Sequence, residues 1–140
     1  MLVIGSDHGG YELKECLKAY LTKKGIPFLD IGCAGEKCDY PDYAQAAAAK
    51  ITAGECENGI LCCGTGIGIS IAANKCRGIR AALVSDPISA RLAKEHNNAN
   101  ILCFGGRVIG ESTAKACVDA WLSAEFKGGR HAERVSKIEA

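Results

Sequence analysis

A chain of 140 residues has room for one ordinary domain and for a core that buries roughly two-thirds of the surface its unfolded form exposes. With 48% hydrophobic and 24% charged residues it falls outside the disordered and fibrous classes, and no apolar run reaches the roughly 18 residues of a membrane span. A net charge of +1 gives no global field for nucleic acid or an anionic bilayer, and Met1 to Ser6 is too short, and lacks the basic start, of a secretory signal; a soluble, cytoplasmic chain is expected.

Short apolar runs alternate with longer stretches of helical period, the pattern of βαβ units. Leu2–Gly5 reads as the first strand, and Leu13, Leu17, Tyr20 and Leu21, with Cys16, form a helical stripe that Gly25 ends. Pro27–Ile31 is a second strand, and the alanine-rich stretch 41–53, opened by Pro41, a second helix. Gly59–Cys63 is a third strand, after which "CGTGIG" leads into a helix beginning near Ile67. Arg80–Val84 is a fourth, and Asp86 with Pro87 caps and opens a helix toward His96. Asn100–Phe104 is a fifth, and Ala114, Val118, Trp121 and Leu122 mark the last long helix. The predicted class is α/β: a three-layer αβα Rossmann-like sandwich around a five-stranded parallel sheet, one domain over residues 1–140, with no repeat or linker. Residues 127–140 form a basic tail, where Lys127, Arg130, Arg134 and Lys137 face the single acid Glu133 between positions 127 and 137, a candidate anion site.

Nine cysteines cannot all pair internally, and no CxxC occurs, so neither a disulfide scaffold, a zinc ribbon nor a thioredoxin-type site is signalled. Most are expected to be reduced, and seven or eight of them to be small core or surface residues.

In such a sheet ligands bind beyond the carboxyl ends of the strands. "SDHGG" and "CGTGIG" follow the first and third strands, "FGGR" the fifth, and "HNN" is placed at the same rim; His8 and His96, each of which alone reads as a surface or capping residue, become candidate acid or base groups together there. Gly64, Gly66 and Gly68 are expected at positive φ, with free N–H groups of the following helix facing an anion; the alternative is a tight turn with no ligand. A dinucleotide fingerprint fails because Ile69 takes the third glycine's place, and no GxxxxGK[ST] occurs. Cys63 is the better nucleophile or base and Cys62 the packing residue, since neighbouring strand positions face opposite ways. A free thiol is only a few per cent ionised at neutral pH, and a helix terminus contributes about 0.3–1 kcal/mol, so other donors or a transient thiolate are required. Arg107 follows the fifth strand; Arg130 and Arg134 lie four apart and share a helical face that either grips a phosphate or is merely solvated.

The runs "GSDHGGYELK", "DYPDYA", "GILCCGTGIGISIAANK", "GIRAALVSD", "KEHNNANIL", "FGGRVIG" and "FKGGRHAERV" resemble, in order and spacing, the type B ribose-5-phosphate isomerases over essentially the whole chain. That family also includes galactose-6-phosphate and allose-6-phosphate isomerases. The resemblance implies interconversion of D-ribose 5-phosphate and D-ribulose 5-phosphate through an enediolate, in the non-oxidative pentose phosphate pathway, without metal or cofactor. By the same resemblance, Cys63 is the base between C1 and C2, and His96 the acid that opens the furanose ring. Backbone amides of Gly64, Gly66, Ile67 and Gly68 face the oxyanion, and the Thr65 hydroxyl relays protons. Asp7, Tyr40 and Asn97 bind sugar hydroxyls; His8, Arg107, Arg130 and Arg134 bind phosphate. It also implies a homodimer or homotetramer with the active site at the subunit interface. Family variants with a glutamate base further along the helix are not matched, because no acid lies between Gly64 and Cys76 and Asn74 stands near that position. Competing readings are a six-carbon sugar-phosphate isomerase, a non-catalytic sugar-phosphate sensor, and a metal-dependent hydride shift, which the three histidines, without carboxylates at ligand spacing, do not support.

Overall fold

The computed structural model describes residues 1–140. Five strands, β1 (Leu2–Ser6), β2 (Phe28–Asp30), β3 (Asn58–Cys63), β4 (Ala81–Leu83) and β5 (Ile101–Gly105), form one parallel sheet in the order β2-β1-β3-β5-β4. The helices are α1 (Tyr11–Lys23), α2 (Tyr40–Thr52), α3 (Ile67–Asn74), α4 (Pro87–Asn97), α5 (Glu111–Ser123) and α6 (Arg130–Ile138). The two edge strands are three residues each, shorter than Pro27–Ile31 and Arg80–Val84. At β4 the shortening has a local cause: the Arg80 N–H is taken by the Asn100 side chain at 2.8 Å instead of a ladder carbonyl. No helix is long and apolar enough to cross a membrane.

Both sheet faces are apolar, and the period of two divides them cleanly. Leu2, Ile4, Ile60, Cys62, Leu102 and Phe104 point to one face, where Leu13, Leu17 and Leu21 of α1, Ala90 of α4 and Val118 and Trp121 of α5 pack on them. Val3, Leu61, Cys63, Ile101 and Cys103 point to the other, covered by Ala44, Ala47 and Ala48 of α2 and Ile69 and Ala73 of α3. The first layer is covered by large helix side chains; the second is covered mainly by the alanines of α2 and α3, which lets those helices lie close to the strands. Trp121 is wholly buried, and its indole N–H donates to the Ala99 carbonyl at 3.1 Å, which ties α5 to the segment entering β5. All nine cysteines are free thiols.

One charge lies deep in this frame. Lys14 of α1 is only 1% exposed, and its ammonium donates to both Asp30 oxygens at 2.9 and 3.0 Å and to the Cys33 carbonyl at 2.7 Å. Burial opposes ionisation of Asp30, but hydrogen bonds from Lys18, Lys14 and the Gly32 N–H outweigh it and hold its carboxyl below the usual carboxylate range. Asp30→Asn strands the Lys14 charge and is expected to cost about 3 kcal/mol in urea unfolding at neutral pH. Because the folded-state pKa is the lower one, this stabilisation is complete above the unfolded carboxylate value of about 3.9 and is lost as pH falls through the folded value. The gap between wild type and variant should therefore close in acid; a gap that persists there would assign it to packing.

Candidate active site

At the carboxyl edge of the sheet, the loops after β1, β3 and β5 meet backbone to backbone. Asp7, 7% exposed, accepts the Gly10 N–H at 3.0 Å and so caps a single 3₁₀ turn, His8–Gly10. Gly10 lies so tightly on the Cys62 carbonyl that no side chain fits. The Gly106 N–H donates to the Cys63 carbonyl at 2.8 Å and the Arg107 N–H to Gly64 at 2.9 Å, which stitches the β5 loop to the β3 loop. Of the three glycines expected at positive φ, only Gly66 has it, at 80°. Gly64 and Gly68 are small for another reason: a Cβ on Gly64 would stand 3.1 Å from Arg107 Nη1, and one on Gly68 would run into the Tyr40 ring. Both neighbours are candidate ligand contacts, so the glycines bring the loop backbone up to them.

Cys63 ends β3 with its thiol against this loop, and the Gly66 N–H donates to its Sγ at 3.1 Å. The Ile67 N–H donates to Thr65 Oγ1 at 3.2 Å. Both donors sit at the start of α3, where helix N–H groups lack intrahelical partners, so a ligand oxygen can compete for them. Cys62 faces the opposite core, and burial pushes its thiol well up, which suits a packing role. His8 Nδ1 lies 3.3 Å from the Cys38 N–H and 3.2 Å from its carbonyl, which fixes the ring against the loop before α2. Asp7, His8, Tyr40, Cys63, Thr65, the Gly64–Gly68 backbone and Arg107 are thus one assembly.

The remaining candidates are elsewhere, and the single-rim expectation is corrected. Parallel pairing sets Gly59, at the start of β3, beside Ile101, at the start of β5, and the Gly59 N–H donates to the Asn100 carbonyl at 2.8 Å. The end of α4, just before Asn100, therefore lies at the amino edge of the sheet, and β3 spans roughly 13 Å from Gly59 to Cys63 at about 3.3 Å per residue. Here Arg80 Nε donates to the Asn97 and Asn98 carbonyls at 3.2 and 3.1 Å, with Asn98 as a left-handed cap at φ 46°. The His96 ring stacks on His131 of α6 with centroids 4.2 Å apart, and the Lys127 N–H holds the Glu95 carbonyl at 3.0 Å. Burial and the positive charges of His96, Arg130, Arg134 and Lys127 push His131 down. His96, Asn97, Arg130 and Arg134 thus form a second, cationic cluster, with a cavity of about 660 Å³ nearby that Asn97, Arg77, Arg80 and Glu139 help line. His131 was not singled out from the sequence; its signal is its place between Arg130 and Arg134 in "GGRHAERV". Asn74 is occupied structurally, exchanging side-chain hydrogen bonds with the Ala81 backbone at 2.9 and 2.8 Å.

A parallel αβα sandwich with a thiol and open amides at one strand terminus, and an imidazole and arginine cluster at the other edge, defines a small-molecule α/β protein with acid–base and anion-binding groups. The chain belongs to the Ribose/Galactose Isomerase family, whose sequence model matches residues 2–138. It is 49% identical to ribose-5-phosphate isomerase B of Escherichia coli strain K12, over 99% of this chain and 94% of that protein. It superposes on the structure of Clostridium thermocellum ribose-5-phosphate isomerase B with a TM-score of 0.97 at 52% identity, covering 99% of this chain and 94% of that one. The Mycoplasma genitalium ribose-5-phosphate isomerase B structure with bound ribulose-5-phosphate gives a TM-score of 0.93 at 41% identity, covering 99% and 93%.

Gly66 is the hinge of the thiol loop, and a Cβ there would stand 2.8 Å from the Phe104 carbonyl carbon and 2.9 Å from the Gly105 nitrogen. Gly66→Ala, which must also hold a left-handed backbone, is expected to cost about 2 kcal/mol in urea unfolding and to lower turnover. An unchanged unfolding midpoint would show that the loop accommodates the methyl.

Proposed function

We propose that two copies of this chain complete each other's active sites, with Cys63 of one and His96 of the other acting on a single sugar phosphate. The protein is an aldose–ketose isomerase that interconverts D-ribose 5-phosphate and D-ribulose 5-phosphate. The observation that carries the mechanism is the Cys63 thiol at the mouth of the glycine loop, with the Gly66 amide on its sulfur. In this reading His96 protonates the ring oxygen to open the furanose. Cys63 then takes the C2 proton as thiolate and returns it to C1. The negative charge left on oxygen falls to the amides of Gly64, Gly66, Ile67 and Gly68, with Thr65 Oγ passing a proton between O1 and O2. Asp7, Tyr40 and Asn97 take the sugar hydroxyls. His8 and Arg107 with Arg130 and Arg134 take the phosphate, whose binding energy holds C2 against the sulfur.

Assembly in trans is supported by the separation of the two clusters and by the surface around the thiol loop. Ile67 and Ile71, one turn apart on α3, are 52% and 56% exposed, and Leu83 at the end of β4 is 44% exposed. An apolar strip of this kind beside a half-built site suits a second copy related by a two-fold axis, which would give two equivalent sites per pair. A cytoplasmic location fits free thiols, one of which must stay reduced to work.

Turnover of ribose 5-phosphate in D₂O with EDTA is expected to give ribulose 5-phosphate carrying deuterium at C1; conversion without label would replace the solvent-exchanging base by a hydride shift. Comparing kcat/KM for ribose 5-phosphate, allose 6-phosphate and galactose 6-phosphate ranks the substrates. Cys63→Ser and His96→Ala should each be inactive alone while still binding sugar phosphate. Mixed and re-equilibrated in equal amounts, they should regain roughly a quarter of the wild-type sites, because each mixed pair carries one intact site. No recovery in mixed pairs would put Cys63 and His96 in separate roles.

A further inference from the structure

We propose that Cys33, Glu36 and Cys38, on the loop between β2 and α2, form a binding site for a thiophilic divalent cation of the zinc class. The inference is independent of the isomerase reading. One sulfur from each cysteine and one carboxylate oxygen of Glu36 lie within 4.8 Å of one another. Tetrahedral zinc with sulfur at about 2.3 Å holds its sulfurs roughly 3.8 Å apart, so rotation of exposed side chains by about an ångström closes the set.

Three features distinguish this trio from a chance meeting of surface groups. Cys33 is buried at 3% exposure, and its N–H is pinned to the Ser6 carbonyl at 2.9 Å, so one ligand is anchored at the end of β1. Glu36 does not trail into solvent: its Oε2 accepts the Ala34 N–H at 3.0 Å and its Oε1 faces the Tyr43 hydroxyl at 3.5 Å, which turns the carboxylate back over the thiols. The two sulfurs lie within 4.8 Å of each other, and the backbone of Cys38 is held by His8. A disulfide between the two cysteines would use the two sulfurs alone, whereas a cation uses all three groups. Two thiolates and a carboxylate around a dication leave one excess negative charge, which the exposed Glu36 and the half-buried Cys38 present to solvent. As the two metal–sulfur bonds form, the two thiol protons pass to solvent, and a water fills the fourth position.

The test uses reduced, metal-free protein titrated with Co(II) under argon, with a phosphine reductant. One equivalent is expected to bring up sulfur-to-metal charge-transfer absorption and the visible bands of tetrahedral Co(II), and Zn(II) should bleach both. Cys33→Ser and Cys38→Ser should each abolish the charge-transfer band; Cys38 is only partly buried, so its variant remains informative if the first fails to fold. Glu36→Gln should weaken binding by about tenfold or more, the scale on which even supporting contacts of metal sites act. Cys63→Ser and Cys76→Ser should leave the spectrum intact. Absence of the band, its survival in Cys38→Ser, or its loss in Cys63→Ser overturns the site.

Discussion

In a parallel sheet each strand runs one way and its following helix runs back, and this antiparallel return governs where every functional group in the molecule can stand. Residues just after a strand, such as Asp7, Thr65 and Arg107, emerge at the carboxyl edge. Residues that end a helix before the next strand, such as His96 and Asn97, are delivered to the amino edge. The register of Gly59 with Ile101 makes the consequence concrete: the chain that places a thiol at one end of β3 has placed its imidazole cluster beyond the other end. Rotamer changes do not span a strand. In the proposed reading, an acid and a base so separated share a small substrate only when the second group comes from another copy, and the exposed Ile67, Ile71 and Leu83 would then bear on mechanism as well as on association.

The same geometry explains how much was legible. Alternating apolar runs and helical stripes gave all five strands and the long helices, because strands buried on both faces and helices with one covered face leave unambiguous patterns. The glycine loop, the opposite facing of Cys62 and Cys63, and the placing of Asp7, His8 and Arg107 at one edge followed from their positions at strand ends. His96 was misplaced because "HNN" was read by its nearness to β5 in sequence, without regard to which end of β5 it precedes. Positive φ was expected at three glycines and occurs at one, since Gly64 and Gly68 answer to Arg107 and Tyr40, which are distant in sequence. The strand order and the stacking of His131 on His96 are likewise products of tertiary packing with no local signature.

Cysteine usage follows a division of labour set by the two faces. On the large-side-chain face Cys62 and Cys117 fill small gaps among leucines, phenylalanine and tryptophan, and burial pushes Cys117 up to about 11. On the small-side-chain face Cys63 and Cys103 sit under alanines, and only Cys63, last in its strand, reaches an amide donor beyond the core. One residue of register therefore separates a thiol enclosed among large side chains from one with an amide donor at the carboxyl edge.

Cys33 and Cys38 belong to neither core. Their spacing, with Glu36 between them, escapes a search for CxxC, and the three groups converge only because the loop folds back over Tyr43. That loop holds the ring of His8 through the Cys38 backbone and runs at once into Asp39 and Tyr40. Two candidate substrate contacts thus depend on Ala34–Cys38, five residues within the nine-residue connection from β2 to α2 that make no backbone–backbone hydrogen bond. The loops after β1, β3 and β5 are joined backbone to backbone; the loop after β2 is stitched to β1 only at its start, through Ser6 N–H to Gly32 at 2.8 Å and Cys33 N–H to Ser6 at 2.9 Å, and beyond Cys33 its order rests on side chains, Glu36 on the Ala34 N–H and His8 on Cys38.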